Sequence, residues 1–212
     1  MSIFYFARHG ETDWNADGRL CGRADVPLSV VGKRQAELLA RRLQPIPFVA
    51  LYSSPLRRAL ETAAIIGRAI RQQPIVDPRL VELSYGKWEG KTYEESRNLS
   101  PQIYRAWELD PASVAPPEGE SGEQLVDRLK PFMDELPRRH LDGNVAVICH
   151  RTVCRLSACH LMRIPLREYR KRVPMDNGAL NIFEWRKGQW IVLGINDTTH
   201  LSASLPETAT TS

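Results

Sequence analysis

Two segments of this chain, Ile3-Phe4-Tyr5-Phe6-Ala7 and Val145-Ala146-Val147-Ile148-Cys149, are apolar without a break. A strand with one face in water alternates apolar and polar residues, whereas a strand covered on both faces does not. The two runs therefore belong in the middle of a sheet that lies between helices. Helical periodicity fills the space between them. Ser29 is a candidate N-cap for a helix over about 30–43, with Ala36, Leu39 and Leu43 on one face. Phe48–Ser53 reads as a second strand. Ser54-Pro55 reads as a helix start, a capping residue followed by proline at the first helical position. Leu56, Ala59, Ala63, Ile66 and Ile70 then form an apolar stripe to about residue 71, and a short strand follows at Ile75-Val76. Residues 92–141 read as helical and irregular, interrupted between 111 and 122. A helix at about 152–162 follows the second apolar run, and strands near 179–186 and 189–195 come last. This alternation predicts an α/β fold of three layers, a mainly parallel central sheet flanked by helices. It forms one domain over 1–201, with a tail at 202–212, rich in Ser, Thr and Ala, that is expected to fray.

The 212 residues are enough for a core of this size, and 42% hydrophobic with 25% charged residues is an ordinary globular composition. No apolar stretch approaches a membrane span, and the start of the chain lacks the pattern of a signal peptide, so a cytoplasmic protein with no membrane partner is expected. The net charge of +4 favours anionic ligands, but no basic stripe is interleaved with aromatics, so nucleic acid is not expected as a partner. Cys21, Cys149, Cys154 and Cys159 form no C-x-x-C pair and no zinc spacing, and read as reduced residues, mostly in the core.

In a sheet of this kind ligands bind beyond the carboxyl ends of the strands. Those ends carry side chains of a consistent kind. Arg8-His9 closes the first strand, Arg57-Arg58 follows the second, Glu82 follows the third segment and His150 follows Cys149. If the strands are neighbours, two imidazoles, at least two guanidiniums and one carboxylate surround one pocket. A phosphate monoester, with a charge near −2, asks for guanidinium forks and backbone N–H donors. Splitting its slow hydrolysis through a covalent intermediate needs a neutral nitrogen nucleophile and an acid for the leaving oxygen. His9 and Glu82 are positioned for those roles. No Walker lysine motif, paired aspartates or H-E-x-x-H occurs, so neither a metal nor another cofactor is implied.

These residues sit in blocks that resemble the histidine phosphatase superfamily, the group that includes the cofactor-dependent phosphoglycerate mutases. Arg8-His9-Gly10-Glu11-Thr12 with Trp14-Asn15 is similar to its opening signature, and Asp25-Val26-Pro27-Leu28-Ser29 with Gly32 to its next block. Ser53-Ser54-Pro55-Leu56 with Arg58-Ala59 and Thr62-Ala63, then Leu83 through Gly90, continue the match. Gly119-Glu120-Ser121, His150 and Asn196-Asp197-Thr198 to His200-Leu201 complete it. The resemblance implies a phosphoglycerate-mutase-like fold and a metal-independent phosphatase acting on a phosphorylated small molecule. It assigns the phosphohistidine to His9 and the proton donor to Glu82, and it gives Arg8, Asn15, Arg58 and His150 to the phosphoryl oxygens. It puts Arg58 in the pocket and Arg57 outside, makes Glu89 a structural partner of Trp88, and makes 91–140 much of a lid, with Tyr93, Arg97, Tyr104, Arg105 and Trp107 as possible contacts.

Two positions depart from the pattern. Arg151 stands where the family has glycine. Its backbone N–H still suits a phosphate, while its side chain either points away or narrows the pocket and favours a second anionic group. Cys21 replaces a usual Gln or Thr, and either fills space or offers an oxidisable thiol. Three rival readings remain. Cys149 with Arg155 fits a cysteine, five residues, then arginine, as in thiol-dependent phosphatases, but the intervening stretch lacks the glycine freedom a phosphate-wrapping loop uses. A mutase would carry a tryptophan followed by paired arginines, which Tyr104-Arg105-Ala106-Trp107-Glu108 lacks. A non-catalytic phosphate-binding module is disfavoured because no site residue is missing.

Overall fold

The structure, a computed structural model, describes residues 1–202. β1 (Ser2–Arg8) leads through the single-turn α1 (Asp13–Ala16) to α2 (Val30–Leu43). β2 (Phe48–Ser53), α3 (Arg57–Ile70) and the edge strand β3 (Pro74–Val76) follow. Then come α4 (Tyr93–Leu99), α5 (Pro101–Leu109) and α6 (Gly122–Arg139). β4 (Gly143–Cys149), α7 (Arg151–Met162), α8 (Tyr169–Arg172), β5 (Leu180–Arg186), β6 (Gln189–Asp197) and α9 (Thr199–Ser202) complete the described chain. The expected tail lies, but for Ser202, outside the described residues.

The sheet runs β3-β2-β4-β1-β5-β6. Its first four strands are parallel, and β5 is antiparallel to both β1 and β6, so the sheet is mixed with a parallel centre. The two unbroken apolar runs are neighbours at that centre, Phe4 opposite Val145 and Arg8 opposite Cys149. Period-2 alternation sends their side chains to two separate cores. Tyr5, Ala7, Ala146 and Ile148 pack against Leu39 and Leu43 of α2 and Ala63 and Ile66 of α3. Phe4, Phe6, Val145 and Val147 face Leu125, Leu129 and Phe132 of α6 and Val153 and Leu156 of α7. Each such side chain, fully buried, contributes roughly 1.5–3 kcal/mol to burial. This two-sided demand explains why neither run alternates.

The helix after β2 begins later than Ser54-Pro55 suggests. α3 starts at Arg57, and its N-cap Leu56 supplies no side-chain bond. Ser54 instead remains part of the extended chain, its N–H donating to Ile148 O at 3.0 Å. Its hydroxyl is used at the site described next. The segment 91–140 divides sharply. α6 lies in the core layer, and Tyr104 and Trp107 of α5 pack with Trp88.

Candidate active site

Because β2, β4 and β1 are adjacent and parallel, their carboxyl ends emerge along one edge. Pairing continues one residue past the strands, with His9 N–H donating to Cys149 O at 3.0 Å. His9, His150 and Ser54 are thereby brought together. The two imidazoles meet edge to face with ring centroids 5.1 Å apart, and His150 Nε2 lies 2.7 Å from Ser54 Oγ.

The hydrogen bonds of His9 define its protonation. Nδ1 lies 2.6 Å from Gly10 O, a carbonyl that only accepts, so the ring proton is there. Arg58 Nε–H donates to Nε2 at 3.1 Å, which requires a lone pair on Nε2. Burial first, then the Arg58 and Arg8 charges, hold the His9 pKa well below its ordinary value. Burial, Arg58 and His9 do the same to His150. A neutral imidazole unprotonated at Nε2 is what a nucleophile for phosphorus requires, and the single lone pair there is held by Arg58 Nε–H.

The cations are held by carbonyls. Arg58 Nη1 and Nη2 donate to Ala24 O and Gly22 O at 2.8 and 2.6 Å, and Arg8 Nη1 to Met175 O at 2.7 Å. Burial, and then the Arg151 charge, lower Arg8 to about 9. Gly22 is a forced choice here. Its φ is +50°, and a Cβ would lie 2.2 Å from Glu89 Oε1.

Glu82 is buried, and each of its oxygens is fixed by the backbone: Oε1 accepts from Leu83 N–H at 2.8 Å and Oε2 from Thr152 N–H at 3.1 Å. The first turn of α7 therefore orients the carboxyl. Arg128 braces it further, donating to Glu82 O at 3.3 Å while paired with Glu120 at 2.7 Å. A cavity of about 250 Å³ is lined by Arg8, His9, Asn15, Arg58, Glu82 and Arg151, with Arg19, Cys21, Tyr85 and Tyr93 at its walls.

All five of Arg8, His9, Arg58, Glu82 and Arg151 thus reach one cavity, as does Asn15. His150 does not line it: the ring is fully buried beside His9, and its Nδ1 has no hydrogen-bond partner. Asn15 Nδ2 donates to Cys21 Sγ at 3.3 Å, while its Oδ1 accepts from Asn177 Nδ2 at 3.0 Å. Arg57 is exposed and pairs with Glu61 at 2.8 Å. Glu89 is structural, but through Tyr85 N–H at 3.1 Å and Arg23 N–H at 3.0 Å rather than through Trp88. Of the expected lid contacts, Tyr93 lines the cavity. Tyr104 and Trp107 are buried in the core, and Arg97 and Arg105 are exposed. Cys149 is fully buried, 3.3 Å from Cys154 Sγ, and burial holds its thiol well above the ordinary range, which removes it as a nucleophile.

Ser54, Asn177 and Met175 O escaped the sequence reading. Ser54 carried a signal, its place at the end of a strand, but the proline after it pointed to a helix cap. The other two lie on the loop before β5, which is locked by Asp176 N–H donating to Asn196 Oδ1 at 2.7 Å, and no local pattern marks them.

The neutral histidines set a pH dependence for stability. Their folded pKa values lie below the unfolded value of about 6.5, so their contribution is present above pH 6.5 and is lost as pH falls toward the folded values. Below about pH 6.5 the unfolded chain takes up protons that the native one refuses, with a slope of up to ~1.4 kcal/mol per pH unit for each histidine. Urea midpoints measured at pH 7.5 and 5.5 should fall at the lower pH. Equal stability at both would mean that His9 and His150 are not held neutral.

The model of the histidine phosphatase superfamily (branch 1) matches residues 4–198. Phosphoserine phosphatase 1 of Hydrogenobacter thermophilus is 34% identical over 201 residues, covering 95% of each chain. The metal-independent phosphoserine phosphatase of Arabidopsis thaliana is 32% identical over 200 residues, 92% of this chain and 82% of that one. Among solved structures, Bacillus stearothermophilus YhfR superposes with a TM-score of 0.88 at 32% identity, over 95% of this chain and 100% of that one. The chain belongs to the histidine phosphatase superfamily. Within it, the chain is an enzyme of the phosphatase kind.

Proposed function

We propose that the protein hydrolyses phosphate monoesters of small molecules through a phosphohistidine on His9. The observation that carries this reading is the hydrogen bond from Arg58 Nε–H to His9 Nε2, which identifies a neutral nitrogen with its lone pair in a cavity walled by guanidiniums. As Arg58 Nε–H turns from Nε2 to a phosphoryl oxygen, that lone pair attacks phosphorus in line with the ester oxygen, and the P–O bond breaks as the N–P bond forms. Glu82 gives its proton to the departing oxygen, which leaves as an alcohol. Water then attacks the phosphohistidine and yields its proton to the Glu82 carboxylate. The N–P bond breaks, and phosphate leaves with His9 restored. Arg8, Arg58, Asn15 and the backbone N–H of Arg151 steady the phosphoryl oxygens, and His150 is assigned to them through its unpartnered Nδ1. α4, with Tyr93, serves as the cover of the site. Against the mutase reading, Trp107 is fully buried in the core and unavailable to a substrate carboxylate. We assign the protein to the cytoplasm, since its four cysteines are unpaired and buried, and no described helix is long and apolar enough to cross a membrane.

Arginines supply the charge that a divalent ion supplies in other phosphatases. Hydrolysis of p-nitrophenyl phosphate should therefore proceed after exhaustive EDTA treatment at the untreated rate. Activity abolished by EDTA and restored by a divalent cation would sink this mechanism.

A further inference from the structure

A second cavity of about 380 Å³ adjoins the first, and Tyr93 and Arg151 line both. Its wall carries Arg151 and Arg155 from the first turns of α7, Arg167 from the turn before α8, and Arg170 and Lys171 from α8. The only carboxylate in that lining is Glu108, and it faces Arg97 at 3.9 Å. Among the described residues none of the five cations forms an ion pair. Arg155 Nε is bound to Val173 O at 2.7 Å, and Arg170 stacks over Trp107 at 4.0 Å. The half-buried Arg151 has a buried Nε with no hydrogen-bond partner among the described residues.

Five like charges around one cavity repel each other; burial first, and then the Arg151 charge, hold the Arg155 pKa below its ordinary value. A buried guanidinium N–H left unpaired is destabilising relative to one that is bound. Some arginines elsewhere are held by carboxylates, Arg79 by Asp77 and Glu135 and Arg128 by Glu120. Arg8 and Arg58 of the first cavity are held by carbonyls, not carboxylates, so the unneutralised charge runs from one cavity to the other through Arg151, which lines both.

We propose that this basin binds a second anionic group of the substrate, so that the preferred substrates are phosphate monoesters bearing another phosphate or a carboxylate at their far end. Phosphate to be cleaved sits over His9, and the second anion passes Tyr93 and Arg151 to meet Arg155, Arg167, Arg170 and Lys171. A dianionic phosphate suits five cations better than a carboxylate, which one or two guanidinium forks satisfy. The inference rests on the phosphatase reading for which end of the substrate is cleaved, but the basin can be tested without turnover.

The test is calorimetric binding to the full chain of three non-hydrolysable probes: propylphosphonate, 3-phosphonopropanoate and propane-1,3-bisphosphonate. The bisphosphonate should bind at least about tenfold more tightly than propylphosphonate at low salt, with the carboxylate probe between them, and added salt should narrow the gap. In Arg167→Gln/Lys171→Gln, two exposed positions whose loss does not threaten the fold, the doubly charged probes should weaken about tenfold more than propylphosphonate. Arg151→Gln should reduce the same ratio. The rank of the two doubly charged probes identifies which anion the basin takes. Equal affinity for all three probes, or equal weakening of all three in the double variant, would overturn the proposal. Failure of the phosphatase reading would look different: no monoester hydrolysed, with this binding pattern intact.

Discussion

His9→Ala should lower kcat/KM at least about a thousandfold, because no other group near the cavity presents a neutral nitrogen lone pair to phosphorus. Rapid quench of the wild-type enzyme with a ³²P-labelled ester should yield a protein label that is lost in acid and stable in base, as a phosphoramidate is. His9→Ala should yield none. The substitution leaves the His9 N–H bond to Cys149 O intact, since that bond is made by the backbone. It does remove the acceptor of Arg58 Nε, and leaving a buried donor unpaired costs about 1–3 kcal/mol. Far-UV circular dichroism of the variant separates a missing nucleophile from a missing fold. Label that survives in His9→Ala but disappears in Cys149→Ser would restore the thiol mechanism, against a sulfur that is fully buried and paired with Cys154.

The central strands were legible because a two-sided burial demand writes itself directly into composition: Phe4 and Tyr5 must both be apolar when each faces a different core. Their polar ends were legible for the same reason, since Arg8-His9 and His150 break the runs abruptly. What depends on phase or on distant backbone was not legible. Arg57 and Arg58 are adjacent on one helix, and a rotation of about 100° per residue puts one in solvent and the other in the cavity. Spacing alone does not decide which is which; the resemblance put Arg58 in the pocket, and Arg58 lines the cavity. The start of α3 lies later than Ser54-Pro55 suggested: the Ser54 hydroxyl lies 2.7 Å from His150 Nε2 and accepts from Leu56 N–H at 3.3 Å, before the first helical residue. Arg151 could not be decided from sequence at all. Its side chain acquires meaning only when α7 and α8 bring four more cations to the same cavity. Family resemblance assigned the acid role to Glu82; what holds its carboxyl, the N–H of Thr152 seventy residues away, is invisible to any local pattern.

That attachment makes Glu82 the second decisive position. Glu82→Gln keeps the size of the side chain but cannot give a proton to a leaving oxygen or take one from water. Alkyl phosphates, whose alkoxides are poor leaving groups, should be hydrolysed about 10²–10⁴-fold more slowly. p-Nitrophenyl phosphate should transfer its phosphoryl group to His9 much less impaired, since nitrophenolate departs without a proton. Dephosphorylation still lacks its base, so the expected trace is a burst of nitrophenol followed by accumulation of phosphorylated His9. Geometry makes Glu89 the fitting control. Its Oε1 accepts from Tyr85 N–H and Arg23 N–H, and Glu89 is not in the cavity lining, whereas Glu82 is. Glu89→Gln should loosen the loop that carries Gly22 O, one of the acceptors of Arg58, and so lower the rate by a similar factor for every leaving group. Glu82→Gln alone should steepen the dependence of rate on leaving-group basicity. The reverse pattern, steep for Glu89→Gln and flat for Glu82→Gln, would show that the proton comes from the other carboxylate.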